Sequence, residues 1–144
     1  MKTQLEDFKV NTRIKLSALW TSVMFCYIYG DYFELYVPGK VEGLFNGQNM
    51  LNTPVKLFTA AFILTVPALM IFLSLILTPK ATKWLNIGIG LFFTLFTLLV
   101  GISSISAWKM FYVFLAFVES IITAIIVWQA WTWEKTGVSE KTLR

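Results

Sequence analysis

The stretch Leu57–Leu77, LFTAAFILTVPALMIFLSLIL, decides the reading of this chain. It contains no charged residue, and about 20 largely apolar residues suffice for a helix to cross a bilayer. Three further segments share its character: Leu16–Val37, Leu85–Ile105 and Met110–Trp133. From Leu57 to Trp133 the only charged residues are Lys80, Lys83, Lys109 and Glu119. The first two fall in the turn TPKATKW (78–84) and the third in the turn SAWKM (106–110). Only Glu119 is left inside a span. The pattern predicts an all-α membrane protein, a four-transmembrane-helix bundle forming one domain over residues 1–144 with spans 16–37, 57–77, 85–105 and 110–133.

Composition agrees with this reading. Apolar residues make up 57% and charged residues 14% of the chain, and the mean hydropathy is +0.69. Soluble domains run at about 45–50% apolar and about 25% charged. The net charge of +4 gives no reason to expect nucleic acid as a partner; the placement of the basic residues matters more. Lys2, Lys9, Arg13, Lys15, Lys80, Lys83, Lys135, Lys141 and Arg144 fall on one side of the expected spans. Lys40, Lys56 and Lys109 fall on the other. Cytoplasmic flanks are enriched in Lys and Arg, so both termini are expected in the cytoplasm. Trp84, Trp108, Trp128, Trp131 and Trp133 sit near span ends, as interfacial anchors do.

The same sequence narrows the chemistry. One cysteine, Cys26, allows no internal disulfide and reads as a small hydrophobe. The chain has no histidine, so His-ligated metals, Ser–His triads and His-held haem are excluded. No phosphate loop or spaced cysteine pair occurs. We therefore expect no catalytic residues, no metal site, no cofactor and no enzymatic activity. The first span is too long for the apolar core of a signal peptide and lacks a small-x-small cleavage site, so it is expected to stay as an anchor. The loop GKVEGLFNGQNMLNTPV (39–55) reads as turns. Pro67, midway along the second span, is expected to kink it.

Without a hydrophobic force between helices in lipid, close packing relies on small residues. The third span carries Gly90, Thr94, Thr97, Gly101 and Ser104 on one face, and the fourth carries Ala116, Ser120, Thr123, Val127 and Ala130. These seams can join helices within one chain or between two copies in a homo-oligomer.

The three acids among the spans carry the functional expectation. Asp31 lies seven residues before Pro38, roughly 10 Å along a helix, and Glu119 ten residues past Lys109, roughly 15 Å. On that count they share a similar depth. Glu34 is one turn from Asp31. Tyr27 can reach Asp31, Tyr112 can line the same cavity, and Thr123 lies one turn beyond Glu119. No Lys or Arg lies within a span to neutralise these acids. Desolvation disfavours a charged carboxylate, and an acid inside a membrane marks a candidate site. The expected proton- or substrate-binding set is Asp31, Glu119, Glu34, Tyr27, Tyr112 and Thr123.

The run LSALWTSVMFCYIYGDY (16–32) with Pro38–Gly39, then VPALMIFLSLIL (66–77), KWLNI (83–87) and VESIITAIIVWQAWTW (118–133), resembles a family of small four-span bacterial membrane proteins of unknown function. The resemblance covers about Arg13 to Trp133. It implies a bacterial inner-membrane location and recurrence of Asp31, Pro38, Gly39, Pro67, Trp84, Asn86, Glu119 and Trp131, and it carries no activity. Gln129 departs from the family's pattern, in which a tyrosine commonly stands there. Small multidrug exporters share the span number and a carboxylate in the first span, but their motifs are missing.

Three functions follow from these readings. The first is proton-coupled binding or transport of a cation or cationic solute at Asp31 and Glu119. The second is an accessory or structural role within the lipid bilayer, through helix–helix contacts and without a substrate. The third, an intramembrane enzyme built on paired acids, ranks last.

Overall fold

A computed structural model describes residues 9–133. Lys2, Lys135, Lys141 and Arg144 of the charge pattern lie outside the described residues. The elements are α1 (Thr12–Glu34), a short α2 (Lys40–Phe45), α3 (Pro54–Ile76), α4 (Pro79–Ser103), a 3-10 turn (Ala107–Lys109) and α5 (Met110–Trp131). No strand occurs among the described residues. Three helical segments are long and apolar enough to cross a membrane: Pro54–Ile76, Pro79–Ser103 and Ala107–Trp131. α1 matches α3 in length, at 23 residues, but it is not among the three. Its Ser, Thr, Tyr, Trp and acidic residues dilute its apolar character.

Local chemistry sets the helix starts. Asn11 caps α1 by accepting the Arg13 backbone N–H at 2.9 Å, and Thr53 caps α3 by accepting that of Lys56 at 3.3 Å. Pro54 and Pro79 open α3 and α4, where a missing N–H costs nothing. α3 runs unbroken through a buried Pro67. The 39–55 stretch is not turns alone: it contains α2 between two left-handed glycines, Gly39 (φ 77°) and Gly47 (φ 68°).

α4 and α5 form the most extensive contact, α1 packs on α5 and α3, and α3 barely touches α4. The α4–α5 seam uses the small residues read from the sequence. Thr94 Oγ1 donates to Thr123 Oγ1 at 2.8 Å, and the Thr97 and Ser120 hydroxyls are 2.8 Å apart. A Cβ on Gly90 would stand 2.8 Å from Val127 Cγ2, and one on Gly101 would stand 3.0 Å from Ala116 Cβ. All four pairs fit one antiparallel register.

Two ends can be distinguished. At one, Arg13 Nη1 donates to Leu75 O at 3.0 Å, and Lys83 Nζ to Trp131 O at 2.9 Å. Each cation thereby covers open carbonyls at a helix C-terminus. We call this the Arg13 end. At the opposite, Pro38 end, Glu34 at the close of α1 meets Lys109 at the start of α5. The apolar core of Leu16, Trp20, Val23, Met70, Ile87, Phe93, Ile126 and Ala130 lies in the Arg13 half. In the other half the start of α3 has no covering neighbour, with Val55 74% and Phe58 73% exposed. Trp84, Trp108, Trp128 and Trp131 are exposed near helix ends, while Trp133 and Cys26 are half-buried.

Candidate functional site: the acids of α1 and α5

Glu119 sits midway along α5 beside the seam residues Ala116, Ser120 and Thr123, on the face that α5 turns inward. It is only 6% exposed. Among the described residues its carboxyl makes no hydrogen bond and no ion pair. Its oxygens are not sealed: among the described residues, the enclosed side-chain polar atom without a partner is Tyr27 Oη. The Tyr27 ring lies against Phe93 of α4, centroids 6.4 Å apart. Tyr27 and Glu119 are within electrostatic reach of each other, and Tyr112 is within reach of Asp31, Glu34 and Glu119.

α1 reaches this region through Gly30. A Cβ there would already be in contact with Tyr112 Cε2 at 3.5 Å and Leu115 Cδ1 at 3.7 Å, so α1 and α5 are close at that level. Asp31 follows directly. It is exposed and has no ion pair among the described residues. Its charge is nevertheless within reach of Glu119.

Two sequence-based expectations need correction. Asp31 and Glu119 do not share a depth. α1 stops at Glu34 rather than Val37: Leu35, Tyr36 and Val37 are held instead by tighter i→i+3 bonds to the Tyr32, Phe33 and Glu34 carbonyls, and Gly39 then turns the chain with φ 77°. Asp31 is thus three residues from its helix end and Glu119 nine from the start of α5, a difference of roughly 9 Å at the helical rise. Nor are all the acids without a cation. Glu34 Oε1 pairs with Lys40 Nζ at 2.8 Å and Lys109 Nζ at 3.3 Å. Both lysines lie outside the apolar runs, where no count within the spans could find them.

The hydroxyls divide in the same way. Tyr27 makes no bond to Asp31, and its Oη stays without a partner. Thr123 Oγ1 bonds the backbone carbonyls of Glu119 (2.9 Å) and Ser120 (3.1 Å), and also Thr94. It serves the α4–α5 seam and makes no bond to the Glu119 carboxyl.

A second buried polar cluster went unread in the sequence. Trp20 Nε1 donates to Asn86 Oδ1 at 2.7 Å, and Asn86 Nδ2 donates to Thr82 O at 2.8 Å and Ser74 Oγ at 3.2 Å. All four residues are fully buried. Two signals were present: Asn86 is a carboxamide inside an apolar run, and Trp20 lies mid-helix, unlike the five boundary tryptophans. Among the described residues no three of His, Cys, Asp and Glu gather as metal ligands.

Helices apolar enough for a bilayer, a buried acid inside one of them and tryptophans at their ends define an α-helical protein of membrane character. Residues 3–140 match the model of the family of unknown function DUF6326, and the chain belongs to that family. No curated protein and no solved structure matches it. Membership assigns no activity, so a functional reading rests on the site.

Proposed function

We propose that this protein crosses the bacterial inner membrane four times, α1 included, with both termini in the cytoplasm, and binds a proton or a small cation at Glu119. Asp31 stands nearer the Pro38 end as the first carboxylate without an ion pair among the described residues that an incoming cation meets, and Glu119 is the deeper one. Tyr27 and Tyr112 stand within electrostatic reach of Glu119, and the enclosed Tyr27 hydroxyl has no partner among the described residues. Exchange of a proton against the cation at Glu119 makes the site a transport site.

The observation that carries this reading is the buried Glu119 side chain, whose incompletely sealed carboxyl has no hydrogen bond or ion pair among the described residues. Burying a carboxylate without a partner is costly. An acid kept in that state inside a membrane helix is a functional candidate. Four spans are supported by α1, which is as long as α3 and packs on both α3 and α5. The orientation is supported by Arg13, Lys15, Lys80 and Lys83 gathering toward one end, with Lys40, Lys56 and Lys109 toward the other.

The test is proton and cation flux into liposomes containing the purified protein, comparing the wild type with Asp31→Asn and Glu119→Gln. Flux should fall to the protein-free background in Glu119→Gln and be reduced in Asp31→Asn. Wild-type flux in both variants refutes the proposal.

A further inference from the structure

The Pro38 end holds a second group of charges, separate from Glu119. A cleft of about 470 Å³ opens there between the end of α1, the 38–52 connection and the start of α5; its polar lining is Glu34, Lys40, Gln48, Asn49, Asn52 and Lys109. Two ammonium groups meet one carboxylate in it, at 2.8 Å and 3.3 Å from Glu34 Oε1. The cleft wall itself thus carries two lysines and one carboxylate, while Asp31, outside the wall, is within electrostatic reach of Lys40. The side chains of Lys40 and Lys109 stay 27% and 34% exposed, so an entering anion can reach them.

The carboxamides add donors. Asn52 Oδ1 already accepts from Lys56 Nζ at 2.8 Å, which leaves its NH₂ as the free half. Ammonium groups and amide N–H donors together suit a ligand with several anionic acceptor oxygens, a phosphate above all. Asp31 lines no part of this cleft, nor do Tyr27 and Glu119.

Beside the cleft lies an apolar groove of about 300 Å³, walled by Phe33, Tyr36, Val37, Trp108 and Phe111. Val37 belongs to both walls, and Trp108 and Lys109 are neighbours in the chain, so the two spaces adjoin. Tyr and Trp are the residue types that sit where acyl chains meet headgroups. A free phosphate would use the cleft alone, whereas an amphiphile with a phosphate head would use both. We infer that the Pro38 end binds an anionic phospholipid, its phosphate on Lys40 and Lys109 and the first part of an acyl chain along Trp108 and Phe111.

The test uses the full chain in detergent micelles and its thermal unfolding midpoint. Three probes are titrated: phosphatidylglycerol, phosphatidylcholine with the same acyl chains, and glycerol 3-phosphate. Phosphatidylglycerol should raise the midpoint at about fivefold lower concentration than phosphatidylcholine, the preference expected from a basic site at a lipid headgroup. Glycerol 3-phosphate should give no shift. The preference should vanish in a Lys40→Gln/Lys109→Gln variant and survive in Lys40→Arg/Lys109→Arg. Equal responses to the two lipids overturn the inference, as does a preference that persists in the double Gln variant. A full response to glycerol 3-phosphate overturns it in favour of a free anion. Should the double Gln variant fail to fold, Trp108→Ala, at an exposed side chain, replaces it: a weakened response to phosphatidylglycerol supports the site, and an unchanged one overturns it. None of these readouts involves flux, so they stand or fall apart from Glu119.

Discussion

In the Arg13 half, Trp20, Ser74, Thr82 and Asn86 are fully buried, and each joins one hydrogen-bonded cluster across α1, α3 and α4. Toward the Pro38 half, Tyr27 Oη is enclosed and Glu119 is buried as a residue although its carboxyl oxygens are not sealed, and among the described residues neither has a side-chain partner. Both regions bury polar atoms in a protein of apolar surface, and only one of them satisfies them. Polar glue between helices is recognisable because it is bonded. A group left unbonded, where a neutral residue would be cheaper, needs another reason to be there. The surrounding packing fits this division: the apolar core fills the first region, while α3 leaves the second uncovered.

Substitutions can break or sharpen this contrast. Asn86→Leu should have the largest effect. It strips Trp20 Nε1 and Ser74 Oγ of their shared partner and should cost about 3 kcal/mol, read as loss of folded protein in a denaturant titration in mixed micelles. A cost near zero would mean that the bonded cluster is not what holds the Arg13 half together.

Gly90→Val comes next, at about 2 kcal/mol. Its added Cβ meets Val127 Cγ2 at 2.8 Å with the Thr123 carbonyl close behind, so α4 and α5 must part. Crosslinking yield between cysteines placed on the two helices should drop along with stability. Thr97→Val removes the bond to Ser120 at unchanged shape and should cost about 1 kcal/mol in the same titration.

The smallest effect belongs to Glu119→Gln. With no bond or ion pair to lose, it should change stability by less than about 0.5 kcal/mol. A loss as large as that of Asn86→Leu would place Glu119 among the structural polar groups and erase the distinction between the two regions.

Much of the architecture could be read before the structure was in hand. Apolar runs located α3 and α5 to within about three residues, because hydrocarbon tolerates so few alternatives, while α4 begins at Pro79, ahead of the run that opens at Leu85. The four-three spacing of Gly90, Thr94, Thr97 and Gly101 marked the packing face of α4 but did not choose between another helix of the chain and a second copy; the Thr94–Thr123 and Thr97–Ser120 bonds put α5 there. The site was harder to read. Asp31 was set too deep because the helix was run to Val37, whereas α1 closes at Glu34 and the next three residues are held by tighter i→i+3 bonds. Lys40, six residues on, meets Glu34 through the turn that follows α1, and Lys109 meets it only because α5 packs on α1. The Trp20–Asn86 bond links residues 66 positions apart, a distance no local pattern spans.

The central claim is that the Glu119 carboxyl is left free to take up a proton or a cation. Infrared difference spectroscopy of the protein in lipid, with and without added cation, reads that carboxyl directly. The account predicts a carboxyl band that changes on cation addition, persists in Asn86→Gln and disappears in Glu119→Gln. A spectrum that does not respond to cation, or one whose response is the same in Glu119→Gln, would contradict it.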